Sequence, residues 1–335
     1  MIKLSRKMVL GVVMTLIYLL TAPAGAEDSC DAIVDAGYTG EIGAMQDGTL
    51  VYKTVGGALR LSQPGADSIR ICLRDGLYRE KLSIERPGVQ LTGENRGGTV
   101  IRWDDHSDVP GPDGIRLGTA GSAALTVRAP NFSARNLTII NGFDYPANRD
   151  LPEGHPDKVA NAQAVAVRTT ADNDQAIFDH VTIEGYQDTL FVDAGRHFFR
   201  DCRVAGHVDF MFGAGQAVFE RCEIVSRNRA GKNPSGYITA PSTPAALPYG
   251  FLFIASRLIR ETPDVPAGSV RLGRPWHPEA NPSINGSAVF IGCFMDDHIG
   301  LQGFAPISAR NADGEKVWFE VGEESRFLEY GSYGQ

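Results

Sequence analysis

The 335-residue sequence contains no Gly-x-Ser-x-Gly segment, so serine-ester chemistry on the strand–turn–helix elbow of an α/β-hydrolase has no carrier here. Its five cysteines include no Cys-x-x-Cys pair at zinc spacing, and none of its seven histidines forms a close metal-type pair. No metal and no cofactor are therefore expected. Beyond the first 20 residues there is no apolar run that could cross a bilayer. Positive charge is also in deficit, with 32 Lys and Arg against 40 Asp and Glu, which argues against nucleic acid as a partner. Apolar residues are plentiful at 43%, enough for a sizeable core and unlike a disordered composition. The 38 glycines and 19 prolines point to many turns and therefore short strands.

Residues 1–26 read as a secretory signal. Lys3, Arg6 and Lys7 make a basic start, Met8 to Leu20 an apolar run, and Ala24-Gly25-Ala26 a small-residue cleavage site. The run is short for a membrane anchor. Removing three cations takes the net charge of −8 to −11. The mature chain is expected to be soluble, monomeric and secreted, either to the periplasm or outside the cell. Residues 27–335 are expected to form one domain.

A phrase recurs along that domain. Phe178-Asp-His-Val181-Thr-Ile183, Phe199-Arg-Asp-Cys202-Arg-Val204 and Phe219-Glu-Arg-Cys222-Glu-Ile224 are its clearest copies. Ala134-Arg-Asn-Leu137, Phe253-Ile-Ala-Ser256 and Phe290-Ile-Gly-Cys293 follow it more loosely. Each reads as a short strand with apolar residues two apart. Counted at the fourth member, the steps are 44, 21, 20, 34 and 37. The first reads as two units of 22, and the last two as single units with inserted loops, the obvious one being Arg227 to Leu247. A strand-bearing repeat of 20–22 residues fits a leucine-rich repeat or a parallel β-helix. The Leu-x-x-Leu-x-Leu frame is absent, so the expectation is an all-β fold: a right-handed parallel β-helix. Neighbouring coils then stack about 4.8 Å apart, which favours a disulfide between Cys202 and Cys222, at the same position in adjacent coils, over two buried free thiols; a Cys30–Cys72 pair is open to the sequence but nothing in it supports one.

The same stacking sets Asp188, in Gln187-Asp-Thr-Leu, beside Asp209, in Val208-Asp-Phe-Met-Phe, 21 residues on. Two carboxyls so close cannot both ionise cheaply, so one stays protonated and the other charged, which supplies a proton donor and a nucleophile at one pH. Exposed aspartates at coil corners are the plainer reading of the spacing alone. Gln163, 24 residues before Gln187, falls about one coil earlier, and two amides can donate to a developing oxyanion. Leu272-Gly-Arg274-Pro-Trp276 puts a guanidinium and an indole two apart, on one face if the segment is a strand. The arginines and lysine from Arg221 to Lys232, with Arg271, read as a solvated face; they leave room for an anionic polysaccharide as ligand.

Gly-Tyr-Gln187-Asp188-Thr-Leu, Gly-His-Val-Asp209-Phe-Met-Phe-Gly and Leu-Gly-Arg274-Pro-Trp276 resemble the signature segments of pectin methylesterases. Gly76-Leu-Tyr78-Arg-Glu80 and Gln163-Ala-Val-Ala resemble two more, in the family's order, and the resemblance runs from about residue 45 to the C-terminus. Asn-Gly-Phe-Asp-Tyr-Pro at 141–146 and His207 look like the bacterial branch. The resemblance implies hydrolysis of methyl esters of polygalacturonate (pectin). It makes Asp209 the nucleophile, Asp188 the acid and then base, Gln187 and Gln163 the oxyanion donors, and Arg274 the group that orients Asp209 and keeps it charged. Phe191, Phe212 and Trp276 match aromatic cleft contacts, and Thr119, Arg229, Asn233 and Tyr237 resemble saccharide contacts in variable loops. Two departures are Met211 where Ile is usual and Phe191 where related bacterial enzymes often have Tyr.

Other activities fit the scaffold. A polygalacturonase would need Gly-His-Gly and Arg-Ile-Lys segments, which are absent; a pectate lyase would need calcium-binding aspartates and a basic catalytic residue. A non-catalytic carbohydrate-binding β-helix, or a thioesterase-like relative, would not need the full Gln187, Asp188, Asp209 and Arg274 set.

Overall fold

In a computed structural model, residues 29–60, 67–322 and 325–334 are described. The expected signal, residues 1–26, lies outside them. No helix among the described residues is long and apolar enough to cross a membrane.

The strands stack into three long sheets of twelve, eight and seven members, with a separate two-stranded hairpin. Successive turns of the chain pair in parallel throughout; the antiparallel strand pairs are Met45–Gln46 with Thr49–Tyr52 and, in the hairpin, Ile307–Arg310 with Lys316–Phe319. This is the expected parallel β-helix. The recurring phrase is its ruler: Ala134 pairs with Phe178, Phe178 with Phe199, Phe199 with Phe219, Phe219 with Phe253, and Phe253 with Phe290. The phenylalanine rings stack face to face inside the solenoid at 4.7, 4.6, 4.7 and 4.4 Å between centroids, each contact adding about 0.5–1.5 kcal/mol to the area it buries.

Three expectations need correction. First, the phrase is a corner joining two sheets, where a single strand was expected. Its third residue takes a left-handed conformation in every copy: Asn136 (φ 56°), His180 (56°), Asp201 (52°), Arg221 (52°), Ala255 (49°) and Gly292 (58°). Asn, Asp and Gly suit that conformation, whereas Arg221 and Ala255 are held there by the rungs above and below. Second, the step of 44 is one coil: Ala134 pairs directly with Phe178, and the surplus is an excursion after Asn141 that carries the short helix Tyr145–Asp150. Likewise, the stretch Arg227 to Leu247 is not all loop, because Gly236–Pro241 is a strand of the seven-membered sheet.

The third correction concerns sulfur. Cys202 and Cys222 are buried free thiols, and the disulfide joins Cys30 to Cys72 with Cα atoms 5.8 Å apart. The corner explains why. The fourth member of each phrase follows the left-handed bend, and its side chain donates back to the carbonyl of the preceding rung's first member. Cys202 Sγ meets Phe178 O at 3.3 Å, Cys222 Sγ meets Phe199 O at 3.5 Å, Ser256 Oγ meets Phe219 O at 3.1 Å, and Cys293 Sγ meets Phe253 O at 3.7 Å. The side chains thus all point the same way along the axis, whereas a disulfide needs two Cβ vectors that converge. Denaturing the protein without reductant is accordingly expected to release three titratable thiols; a single thiol would mean that Cys202 and Cys222 are paired after all.

Candidate active site

The seven-stranded sheet carries the site on its outer face. Register alone brings the two aspartates together: Leu190 pairs with Met211 and Phe191 with Phe212, which sets Asp188 against Asp209, and the Asp188 amide donates to Val208 O at 3.1 Å. The expectation of a strand face needs adjusting, since Asp188 lies just before the strand Leu190–Val192. Asp209 sits at a register shift within Val208–Gly213. Both have left-handed backbones, φ 63° and 48°, a strained conformation that Asp tolerates and that concentrates at functional sites. Gln163 and Gln187 form an isolated parallel bridge, so the two amides occupy successive rungs beside the two carboxyls.

Arg274 reaches Asp209 from the end of the strand Val270–Gly273 rather than from within it. Its Nε and Nη2 donate to Oδ1 and Oδ2 at 2.8 and 2.5 Å, a fork-on-fork geometry that only a carboxylate and a guanidinium make well. Gly273 permits the approach: a Cβ there would stand 2.0 Å from Thr239 Oγ1 and 2.8 Å from Thr239 O. On its other side the guanidinium lies 4.0 Å from the centre of the Tyr237 ring.

The two carboxyls live in different surroundings. Asp188 is buried, and burial first, then the charge of Asp209, push its pKa well above the ordinary carboxylate value, against a weaker pull from Arg274 and from the Gln187 side chain. Asp209 takes both hydrogen bonds of the guanidinium fork. One carboxyl is thus biased toward its protonated form beside an ion-paired carboxylate, which is the division of labour that two-carboxyl catalysis needs. Two residues before Asp209, buried His207 has both ring nitrogens unpartnered among the described residues. Burial, with Arg229, Arg227 and Arg149 nearby, lowers its pKa to about 3 and keeps the ring neutral.

A cavity of about 450 Å³ opens over the pair. Thr119, Gln163, Gln187, Asp188, Phe191, Asp209, Phe212 and Trp276 line it, all anticipated from the sequence. Phe191 and Phe212 stack at 4.3 Å and Trp276 meets Phe212 edge-on at 5.7 Å; they belong to an apolar cluster separate from the main core, the floor of the cleft. Tyr237 lies behind Arg274 and lines an adjoining cavity, while Arg229 and Asn233 line neither.

Other contributors gave no sequence signal. Ile307, Ser308 and Ala309 wall the cavity from the hairpin, outside the repeat, and Glu279 and His277 stand at its rim. The hairpin is held by Phe319 stacked on His277 at 3.6 Å. Buried Ser107 is a support that no motif announces: its hydroxyl sits 2.9 Å from Gln163 Oε1 and 2.7 Å from Asn161 O.

The chain is also similar to known proteins over most of its length. The sequence model of the family described as Pectinesterase matches residues 41–321. Pectinesterase A of Dickeya dadantii is 42% identical over 294 residues, covering 84% of this chain and 80% of that protein. A solved pectin methylesterase in complex with a hexasaccharide superposes with a TM-score of 0.85 at 41% identity, covering 91% of this chain and 90% of the other. Pectin methylesterase from Yersinia enterocolitica superposes with a TM-score of 0.81 at 46% identity, covering 84% and 90%. A match through almost the whole solenoid, with relatives sharing two residues in five across most of both chains, means that this protein belongs to the pectinesterase family.

Proposed function

We propose that this chain hydrolyses the methyl esters of homogalacturonan, giving pectate and methanol, with Asp209 as nucleophile and Asp188 as general acid and base. The observation that carries the reading is the asymmetry of the pair: Arg274 grips Asp209 while burial raises the pKa of Asp188. An Asp209 oxygen attacks the ester carbonyl carbon, and the charge that moves to the carbonyl oxygen is met by the amides of Gln163 and Gln187. As the tetrahedral centre collapses the C–OCH3 bond breaks, the Asp188 proton goes to the departing oxygen, and methanol leaves an acyl group on Asp209. Asp188, now a carboxylate, takes a proton from water as it attacks the same carbon; collapse restores Asp209 and leaves a free uronic acid.

The polymer is the partner this reading implies, with Phe191, Phe212 and Trp276 against the sugar faces and Thr119, Tyr237, Arg229 and Asn233 as further contacts. Its location implies a secreted monomer: residues 1–26 a cleaved signal, 27–335 the single working domain, and neither membrane nor nucleic acid involved. No cofactor enters any step. Incubation with highly methylated pectin tests the reading. Methanol and titratable acid should rise in equal amounts with no unsaturated product and no new reducing ends; either of the latter would reassign the site to a lyase or a glycoside hydrolase.

Ser107 would then act as a positioning residue. By occupying Gln163 Oε1 it leaves the amide NH2 to face the cleft. Ser107→Ala is expected to lower kcat about tenfold with KM nearly unchanged, the cost of one poorly aimed oxyanion donor, and Ser107→Thr to recover part of it. A rise in KM at constant kcat would assign Ser107 to substrate binding.

A further inference from the structure

The rungs of the solenoid hold Gln163 from one side. Its bridge to Gln187 is isolated, and the strand Val167–Thr169 begins only beyond it. On the other side Gln163 meets a loop: the Ser107 amide donates to Gln163 O at 2.9 Å, and the Ser107 hydroxyl sits on Oε1.

Two excursions from the solenoid meet there. The first leaves after the strand Thr99–Trp103 and returns at Leu125, carrying Ser107 and Thr119. The second leaves after Thr138–Asn141 and returns at Val167, carrying Gln163. They touch through Ser107 Oγ on Asn161 O at 2.7 Å. The Asp108 carboxylate adds two bonds, accepting from the Asn161 side chain at 2.8 Å and from its backbone N–H at 3.0 Å.

One side chain closes both excursions at their feet. Asn141, 2% exposed, ends the strand from which the second departs. Its Nδ2 hydrogens are shared among three carbonyls. Asp105 O, at 2.8 Å, lies where the first excursion departs, and Ser122 O, at 3.2 Å, where it comes back. Val165 O, at 3.0 Å, lies where the second comes back. Oδ1 accepts from the Phe143 amide at 3.0 Å, which fixes the direction of the Asn141 side chain. Gly142 lets the departing chains lie this close, since a Cβ there would stand 2.2 Å from Asp104 Oδ1. A buried amide engaged at donor and acceptor by separate stretches of backbone is hard to displace. The hydrolytic steps leave Asn141 without a part.

We propose that Asn141 is a positioning residue for the oxyanion donor Gln163: by fixing Asp105 against Val165 it sets where Ser107 grips the Gln163 side chain, and so where the Gln163 NH2 points. The assignment rests on the demethylation reading, in which Gln163 meets the charge on the carbonyl oxygen. Its consequence is that the effect of Asn141 on the rate passes through Gln163.

The test is a double-mutant cycle on methanol release, with Asn141→Ala, Gln163→Ala and the two together. Asn141→Ala alone should lower kcat about thirtyfold with KM changed by less than about threefold, short of the full loss of one oxyanion donor. Once residue 163 is alanine no donor is left to aim, so adding Asn141→Ala should cost less than about threefold more. Asn141→Ser keeps one donor. It should recover part of kcat in the first background and make no difference in the second, and it carries the comparison if the alanine variant does not fold. The same loss in both backgrounds would overturn the proposal, because Asn141 would then act on the site as a whole. So would no loss in either, a loss confined to KM, or failure of both variants to fold. If the wild type releases no methanol, the demethylation reading fails on its own. Hydrogen exchange still decides whether Asn141 ties the excursions. In Asn141→Ser the amides of Ser107 and Val165 should exchange about tenfold faster than in the wild type while those of Phe199 and Phe219 keep their rates; unchanged exchange at Ser107 would refute the tie.

Discussion

Asp209→Ala is expected to abolish methanol release, by about 10⁴-fold or more, in a protein that still folds. The size follows from the role. Without a nucleophile no acyl group can form, and the remaining donors and binding contacts recover only a small residue of the rate. The fold should survive because the side chain contributes nothing to the stacked phenylalanine core and is held by a partner, Arg274, that stands at the cleft. The substitution does place alanine in a left-handed backbone, which costs about 1–2 kcal/mol in a solenoid tied by many ladders. Rates from methanol assays, read beside a melting curve, check both halves. A variant that kept more than about one part in a hundred of the activity would need another nucleophile, and among the described residues the cavity lining offers Asp188 and Glu279 as further carboxylates.

The sequence spoke clearly about whatever repeats. Phe178, Phe199 and Phe219 recur with the period of the coil, and that period alone sets Asp188 beside Asp209. It was less clear about backbone shape inside a coil. A left-handed third residue leaves the two-residue alternation of apolar positions unbroken, so Phe178 to Ile183 reads as one strand although the chain turns at His180. The thiols misled for a related reason. Equal position in adjacent coils brings Cys202 and Cys222 near one another, but proximity says nothing about direction, and direction is set by the carbonyls that the bend leaves to be satisfied. The hairpin and Ser107 were invisible because neither repeats. Ile307 to Ala309 and Ser107 come from excursions whose reach depends on how they fold back over the solenoid.

Arg274→Ala should lower kcat/KM at the wild-type optimum by about 10²–10³-fold and move the pH–rate profile to higher pH. The sign follows from the pair. In the native site Arg274 opposes burial and Asp209, the two influences that raise Asp188. Removing the guanidinium takes away the counter-charge that pulls Asp188 down, and its carboxyl becomes harder still to ionise. The first step needs Asp188 protonated, so the basic limb of kcat/KM, where that proton is lost, shifts upward. Arg274→Lys separates charge from shape. An ammonium restores the positive charge but cannot make the two parallel bonds now at 2.8 and 2.5 Å. Its profile should return most of the way while its rate stays well below wild type. A basic limb that does not move in Arg274→Ala would show that the guanidinium only aims the Asp209 carboxylate, and the Asp188 pKa would then be set by burial and by Asp209 alone.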